Sequence, residues 1–343
     1  MDEIIAWLTT LLDFDTTARG PDAGACVDFI GRVLSMNGVK IRVFETCGGH
    51  RQAHHLLAEV SGERPEAVLL HAHLDTADFG DPTEWIFPAQ RASRRRGCVC
   101  GRGAIDCKGP LAVWMKLLSD AAGKTHHSHT LKLLVSDLEE DGGEFGLKLL
   151  LRQHPGILTD VKLVIGEGGG FPFPFRDTLY YTFQTGERED DPEENAEDLT
   201  SEEIASILSI GIGKGYYSRD VLSYAACAGS LSRRRLDIRP LYAGMEAFFR
   251  EAADSDVYRR YGQFFTDSLR KEISNACLMP CITPGYSDNR WFRKAGIPVI
   301  GFFPLDKKNS LGGIHGSNEY ISEASLALAY RVMSDILAGL QLT

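Results

Sequence analysis

The stretch AVLLHAHLDTAD, residues 67–78, constrains the fold of this 343-residue chain more than any other part of it. Its first four residues are apolar, as in a buried strand, and four titratable side chains follow within eight positions: His71, His73, Asp75 and Asp78. Ionisable groups are costly to bury unless they are paired or bind a cation. The sequence therefore predicts a core strand with functional, ionisable side chains at its carboxyl end.

Apolar periodicity predicts that strands and helices alternate around this strand. Further strand-like runs lie at 39–46, 54–60, 131–137, 161–166, 276–283 and 298–304. Helical spacing is found at 2–13, 22–36, 110–122, 143–153, 257–273 and 288–296, and Ser322 is placed to cap a last helix that runs to Leu340. Such alternation favours an α/β sheet with both faces covered by helices.

The middle of the chain differs in composition. Residues 185–203 are acidic and have no apolar periodicity, as in a solvated loop, and residues 201–253 look mostly helical. We therefore predict a discontinuous domain, residues 1–178 and 254–343, interrupted by a small inserted segment at 179–253.

Composition excludes several classes of protein. The formal net charge of −10 argues against a nucleic-acid-binding surface as the main function. In a chain of this length, the eight cysteines are typical of intracellular thiols rather than of a disulfide framework. They include no C-x-x-C pair, so a zinc ribbon is not supported. No apolar run reaches the roughly 18 residues that a membrane span needs, and the amino terminus lacks the basic region of a signal peptide. We expect a soluble, cytoplasmic protein.

Four other predicted strand or loop ends carry similar side chains. They are Asp106 in GRGAIDCKGP, the pair Glu139 and Glu140 in LLVSDLEEDGGEFG, Glu167 in LVIGEGGG and His315 in GGIHGSNEY. Ligands of open α/β sheets collect at the carboxyl ends of strands. Mixed imidazole and carboxylate sets suit zinc, and two divalent ions that share a carboxylate lie about 3.5–4 Å apart. The pattern predicts a divalent-metal site, although each feature alone also fits a strand cap or a solvated turn.

Six ordered motifs make the sequence similar to the M20 family of dinuclear zinc peptidases and deacylases: HAHLDTAD, GRGAIDCKG, DLEEDGGEFG, VIGEGGG, PGYSDNRWFRKAGIPVIGF and GIHGSNEYIS. The resemblance implies a three-layer α/β/α domain with a mixed central sheet and an inserted lid. It implies that His73 and Glu167 bind one zinc ion, that Glu140 and His315 bind the other, and that Asp106 bridges both. Manganese or cobalt would also suit these ligands.

The same resemblance implies further roles. Asp75 would accept the second ring N–H of His73, and Glu139 would act as general base on a metal-bridging water. The peptide bond after Asp106 would be cis. Arg290 or Arg293 would pair with a substrate carboxylate, unless these arginines only lie on the surface of their helix. His71 is interpreted as a core or supporting residue rather than a ligand.

The implied function is hydrolysis of an amide bond in a small peptide or an N-acyl amino acid. Two alternatives stay open: a deacylase of a specialised biosynthetic intermediate, and a non-catalytic metal-binding or interaction domain.

The chain departs from the family pattern in its lid. Family members carry a lid histidine that stabilises the oxyanion, often across a dimer, whereas this sequence has no histidine between His154 and His315. Three interpretations stay open: another donor replaces it, the substrate needs none, or the domain is a scaffold. The candidate donors are Lys214, Tyr216, Tyr217 and Arg290. Because the lid is atypical, homodimer formation also stays open.

Overall fold

The computed structural model describes residues 1–48, 51–124, 127–175, 177–187, 252–283, 287–309 and 313–342. The helices in these ranges are α1 (Asp2–Leu12), α2 (Ala23–Met36), α3 (Lys108–Ala122), α4 (Leu147–Gln153), α5 (Asp256–Glu272), α6 (Asn289–Lys294) and α7 (Glu323–Gly339). The first strands are β1 (Lys40–Gly48), β2 (Arg51–Val60), β3 (Arg64–His73), β4 (Ser93–Arg95), β5 (Cys98–Cys100) and β6 (His129–Ser136). The remaining strands are β7 (Val161–Gly166), β8 (Pro172–Phe175), β9 (Thr178–Glu187), β10 (Ala276–Thr283), β11 (Val299–Gly301) and β12 (Tyr320–Ser322).

A large mixed sheet forms the centre of the domain. Its strand order is β1-β2-β6-β3-β7-β11-β9-β10, and β8 pairs with β9 at one side of this path. Strands β6, β3, β7 and β11 run parallel to one another. The pairs β1–β2, β2–β6 and β11–β9 are antiparallel. The parallel strands lie at the middle of the sheet, where both faces are buried.

Successive residues of β3 point to opposite faces of this sheet, and each face has its own core. Val68 and Leu70 pack in a cluster with residues of α1, α2, α3, α5 and α7. Ala67 and Leu69 pack in a second cluster with residues of α4 and α6. Because β3 contributes to both clusters, the domain has helices on both sides of the sheet, which confirms the three-layer α/β/α architecture.

A second, three-stranded sheet has the order β12-β5-β4. Its antiparallel pairing sets Tyr320 opposite Cys100 and Ser322 opposite Cys98. This pairing brings the loop before β12 next to the loop after β5. Those two loops contain His315 and Asp106.

The predicted elements agree with the structure in position, with local differences. Helix α4 begins at Leu147 instead of residue 143, because Gly142 and Gly143 have φ angles of 85° and 65° and form a turn. Strand β11 covers only Val299–Gly301 of the predicted run. Ser322 caps α7 as expected, and its hydroxyl accepts the backbone N–H of Ser325 at 3.0 Å.

The predicted insertion falls almost entirely outside the described residues. Its first part, up to Glu187, is strand β9 of the main sheet, whereas residues 188–251 are outside the described ranges. The division into a discontinuous domain and a lid therefore stays a prediction. Among the helices described above, none combines the length and the apolar character that crossing a bilayer requires.

Candidate metal centre

Three neighbouring parallel strands supply four of the predicted ligand and base residues. His73 is the last residue of β3, Glu167 follows β7 directly, and Glu139 and Glu140 follow β6 after two intervening residues. His73 is paired with Ser136 of β6, and Leu70 with Ile165 of β7, so the carboxyl ends of the three strands lie together. The sheet register alone therefore gathers these side chains at one edge.

The Asp106 carboxylate lies at the centre of the cluster. Its Oδ1 is 3.0 Å from Nε2 of His73, and its Oδ2 is 3.0 Å from Nε2 of His315. The peptide bond between Asp106 and Cys107 is cis, as the motif resemblance implied. One carboxylate thus faces both predicted histidine ligands with different oxygens.

Two glutamates complete the two halves of the cluster. Oε2 of Glu167 is 3.4 Å from Nε2 of His73, and Oε2 of Glu140 is 3.0 Å from Nε2 of His315. The second oxygen of Glu140 accepts the backbone N–H of Ala77 at 3.0 Å, which fixes the orientation of this carboxylate. The five predicted ligands are therefore brought together in the pairs that the resemblance implies.

Glu139 is close to the cluster but stands further from the imidazoles. Its Oε2 is 4.0 Å from Nε2 of His73, and its side chain is only 12% exposed. The carboxylate is thus near the ligands without sharing their shortest contacts.

Asp75 lies behind His73, with a difference from the expected contact. The Nδ1 of His73 is 2.9 Å from the backbone carbonyl oxygen of Asp75 and 3.6 Å from its carboxylate Oδ1. The other carboxylate oxygen accepts the backbone N–H of Glu140 at 3.0 Å. Asp75 therefore supports two of the predicted ligands: its main chain contacts the His73 ring, and its side chain holds the backbone of Glu140.

His71 lies two residues before His73 on β3 and is fully buried. Its Nε2 is 2.9 Å from the hydroxyl of Ser136, which in turn donates to Oδ2 of Asp288 at 2.7 Å. Burial lowers the pKa of His71 to about 3, so the ring is neutral at physiological pH. This position agrees with a supporting role in the core.

Several carboxyl groups lie close together and largely buried in the cluster, and this shifts their pKa values. Burial raises the pKa of Glu167 to about 7 and the pKa of Glu139 well above its usual value, and neighbouring carboxylates add to both shifts. Hydrogen bonds to Asp106 and Glu140 raise the pKa of His315 to about 10. Burial also disfavours ionised Asp106, but hydrogen bonds from His315 and His73 outweigh it and hold the pKa of Asp106 below its usual value.

The donor atoms fit a divalent metal. Ligand atoms of His73, Asp106 and Glu140 lie within 4.8 Å of one another, as do those of His73, Glu167 and Cys107. Imidazole nitrogens with several carboxylate oxygens are a donor set that zinc accepts, and a cation would neutralise the charge that raises the carboxyl pKa values. The arrangement can therefore hold a divalent metal.

Arg290 lies beside the loop that carries the glutamate pair. Its guanidinium donates to the backbone carbonyl of Gly142 and packs over the Trp291 ring, 4.5 Å from the centroid. Arg293, in contrast, contacts Oε1 of Glu187 at 3.0 Å. Of these two arginines, Arg290 is the one that contacts the loop of Glu139. The other proposed oxyanion donors, Lys214, Tyr216 and Tyr217, lie outside the described residues.

Three residues next to the ligands were not assigned from the sequence. Cys107 is buried beside His73, with its Sγ 3.1 Å from the backbone nitrogen of His73. Asp288 is fixed by Ser136, and Glu319 contacts the loop that carries Asp106. All three residues lie inside the motifs quoted above. The sequence around a single cysteine or carboxylate does not indicate that the side chain is buried.

The fold and the site together define a class: an α/β domain with a histidine–carboxylate metal centre at the carboxyl ends of its parallel strands. Residues 69–339 match the model of peptidase family M20/M25/M40, so the chain belongs to this family. The match confirms the resemblance found in the motifs. The family and its ligand chemistry imply a divalent metal, typically zinc.

Similar proteins include peptidases and an acylase. A cysteinylglycine-S-conjugate dipeptidase of Corynebacterium striatum is 32% identical over 111 residues, which cover 32% of this chain and 24% of that protein. The matched part is thus about a quarter of the length of that dipeptidase. Aminoacylase-1B of Rattus norvegicus is 20% identical over 95% of this chain and 92% of its own length.

A solved structure supports the fold. The M20 family metallo-carboxypeptidase Sso-CP2 from Sulfolobus solfataricus aligns with a TM-score of 0.69, 16% identity, and coverage of 98% of this chain and 99% of that one. At this identity the likeness concerns the fold, and it confirms the expected fold class.

Proposed function

We propose that this protein hydrolyses an amide bond in a small peptide or an N-acyl amino acid, with two divalent metal ions and with Glu139 as general base. The observation that carries the proposal is the Asp106 carboxylate, whose two oxygens each lie 3.0 Å from a different histidine. A dipeptidase and an aminoacylase among the similar proteins support this substrate class.

The distances support the ligand roles that the family resemblance implies. His73 and Glu167 would hold one ion, Glu140 and His315 would hold the other, and Asp106 would contact both. Bound divalent ions would lower the pKa of water and polarise the scissile carbonyl. Ligation by His315 requires a neutral imidazole, so metal uptake would release the proton that Asp106 and Glu140 now stabilise.

Glu139 is the residue suited to move protons. Its distance of 4.0 Å from His73 leaves it beside the predicted ligands, and burial raises its pKa well above the usual value. A carboxylate in this position would take a proton from the attacking water and return it to the leaving amine. A site that only binds metal has no need of this carboxylate, which argues against the scaffold alternative.

The decisive experiment compares Glu139→Gln with the wild type after loading with zinc. We expect turnover on a panel of dipeptides and N-acyl amino acids to fall by about 10²- to 10⁴-fold, the usual contribution of a general base. Metal content, measured by elemental analysis, should stay unchanged. The matched control is Glu144→Gln, because Glu144 is an exposed carboxylate of the same loop that pairs with Lys148 at 2.6 Å.

Two results would contradict the proposal. Zinc-loaded wild-type protein that cleaves no member of the panel would favour a binding or scaffold role. Full activity in Glu139→Gln would show that another group moves the proton.

A further inference from the structure

We propose that Glu319 is a positioning residue that sets Asp106 and His315 relative to each other, and so builds the half of the centre formed by His315 and Glu140. This inference rests on the proposed function, because it concerns the same metal centre. It assigns no contact with substrate to Glu319.

The Glu319 carboxylate binds almost the whole loop that ends in Asp106. Its side chain is fully buried. Its Oε1 accepts the backbone N–H groups of Ile105 at 2.8 Å and Asp106 at 3.2 Å. Its Oε2 accepts the N–H of Gly103 at 2.9 Å and the Nη1 of Arg102 at 2.9 Å. One carboxylate thus satisfies four donors from five consecutive residues.

Glu319 itself belongs to the segment that carries His315. The segment turns at Gly313–Gly316 and enters β12 directly after Glu319. The backbone carbonyl of Glu319 accepts the N–H of Gly101 at 3.0 Å, in continuation of the β12–β5 ladder. Main chain and side chain of Glu319 therefore lock the His315 segment onto the Asp106 loop.

Arg102 extends this connection to a third segment. Its Nε donates to the backbone carbonyl of Asp78 at 3.2 Å, and its guanidinium lies over the Trp85 ring, 5.3 Å from the centroid. Asp78 follows Ala77, whose N–H binds Glu140. The Glu319–Arg102 pair thus joins the segments that position Asp106, His315 and Glu140.

The two halves of the centre do not depend on this pair equally. His73 and Glu167 extend from β3 and β7, which are hydrogen-bonded neighbours in the main sheet. His315 comes from a loop, has a φ angle of 55°, and its side chain is 58% exposed. Its place is set by the contacts of the small sheet and of Glu319. Loss of the Glu319 carboxylate should therefore weaken the His315 half and spare the His73 half.

The test is a cobalt titration of metal-free protein, followed by visible absorption and by competition with a chelating dye. Wild type should bind two equivalents. In Glu319→Gln the second equivalent should bind about 10- to 100-fold more weakly, the usual effect of removing a group that orients ligands, while the first keeps its affinity. The matched control is Glu323→Gln, which removes a carboxylate of the adjoining helix that pairs with Arg94 at 2.6 Å, and it should leave both equivalents unchanged.

Glu319→Asp is a second variant that keeps the test valid if Glu319→Gln does not fold. Aspartate keeps the negative charge beside buried Arg102, but its shorter side chain cannot reach all the N–H groups that Glu319 binds. We expect it to fold and to show the same selective loss, smaller in size. Unchanged affinity for both equivalents in the two Glu319 variants, or equal weakening of both, would overturn the inference.

The result also separates this inference from the proposed function. If wild type binds two equivalents and hydrolyses its substrate while the Glu319 variants match it, only the positioning role is wrong. If wild type binds no cobalt, the proposed function itself fails.

Discussion

His73 and His315 face each other across one carboxylate: their Nε2 atoms each lie 3.0 Å from a different oxygen of Asp106. His73 ends a central strand of the main sheet, whereas His315 lies in the loop before the small sheet. The centre therefore lies where the two sheets meet, and Asp106 is the group that both sides contact. We therefore expect Asp106 to be the most sensitive position for metal binding.

Replacing Asp106 by Asn should remove most of the stabilisation by metal. A divalent ion at 100 times its dissociation constant raises the free energy of unfolding by about 2.7 kcal/mol. In Asp106→Asn this increment should be small, because a neutral amide cannot neutralise two cations. The measurement is urea denaturation with zinc and with chelator.

The control for this prediction is Asp335→Asn. Asp335 pairs with Lys271 at 2.7 Å, and both belong to helices away from the centre. It should retain the full increment. An equal increment in wild type and Asp106→Asn would show that zinc binds elsewhere.

The sequence predicted the parts of this site that depend on strand periodicity. His73, Glu140 and Glu167 follow apolar runs, and runs of this kind pair in register and end at the same edge of a sheet. The order of the motifs then identified the family. Helix α4 begins after the turn at Gly142 and Gly143. The glycine pair is visible in the sequence, but the helical spacing predicts that the helix begins at residue 143.

The supporting contacts could not be predicted in the same way. The strands of the small sheet have three residues each, too few for a periodic pattern. Glu319 follows Asn318 in a polar stretch that is typical of a surface loop, and its burial results from the pairing of β12 with β5. The contact of the His73 ring with a carbonyl of Asp75 depends on a rotamer, which sequence spacing does not determine.

Replacing Arg290 by Met should raise KM selectively. If Arg290 pairs with a substrate carboxylate, its loss removes a charge-assisted hydrogen bond, worth about 1.5–3 kcal/mol or roughly 10- to 100-fold in KM. A substrate with a free α-carboxylate should show this loss, whereas its carboxamide analogue should not. Steady-state kinetics on both substrates measures the difference.

Arg94→Met is the matched control for Arg290. Arg94 pairs with Glu323 at 2.6 Å, and its side chain is 60% exposed. Its kinetic constants should equal those of wild type. Equal losses on the two substrates in Arg290→Met would instead indicate that Arg290 only supports the loop at Gly142.

Replacing Gly143 by Ala should destabilise the protein more than Gly38→Ala does. Both glycines have positive φ angles, 65° and 82°, which cost alanine about 1–2 kcal/mol. An added Cβ at Gly143 would lie 2.3 Å from Oδ1 of Asp288 and 2.8 Å from Nε1 of Trp291, whereas at Gly38 it meets nothing within 4 Å.

The clash at Gly143 is not easily relieved, because Ser136 donates to Asp288 at 2.7 Å and holds that side chain. We expect an additional loss of about 1–3 kcal/mol, the usual cost of overpacking. Chemical denaturation of the two variants measures it. Equal destabilisation would show that Asp288 and the loop adjust to the extra methyl group.

Acid should destabilise the protein partly through His55. This ring is buried, its Nδ1 accepts the backbone N–H of Asp137 at 3.3 Å, and its Nε2–H donates to Thr46, whose hydroxyl donates to the carbonyl of Phe145. Burial lowers the pKa of His55 from 6.5 to about 4. In a protonated ring, Nδ1 could no longer accept the backbone N–H of Asp137. The folded state therefore favours neutral His55.

The sign of the effect follows from the lowered pKa. Above pH 6.5 the ring is neutral in both the folded and the unfolded state, and its contribution to stability is fully present. Between about pH 6.5 and 4 only the unfolded state binds the proton, so the free energy of unfolding falls by up to about 1.4 kcal/mol per pH unit. In His55→Gln, which keeps a donor and an acceptor but does not titrate, urea denaturation from pH 4.5 to 7.5 should show a shallower decline. The same slope in wild type and variant would mean that His55 takes up its proton equally in both states, contrary to its buried position between Thr46 and Asp137.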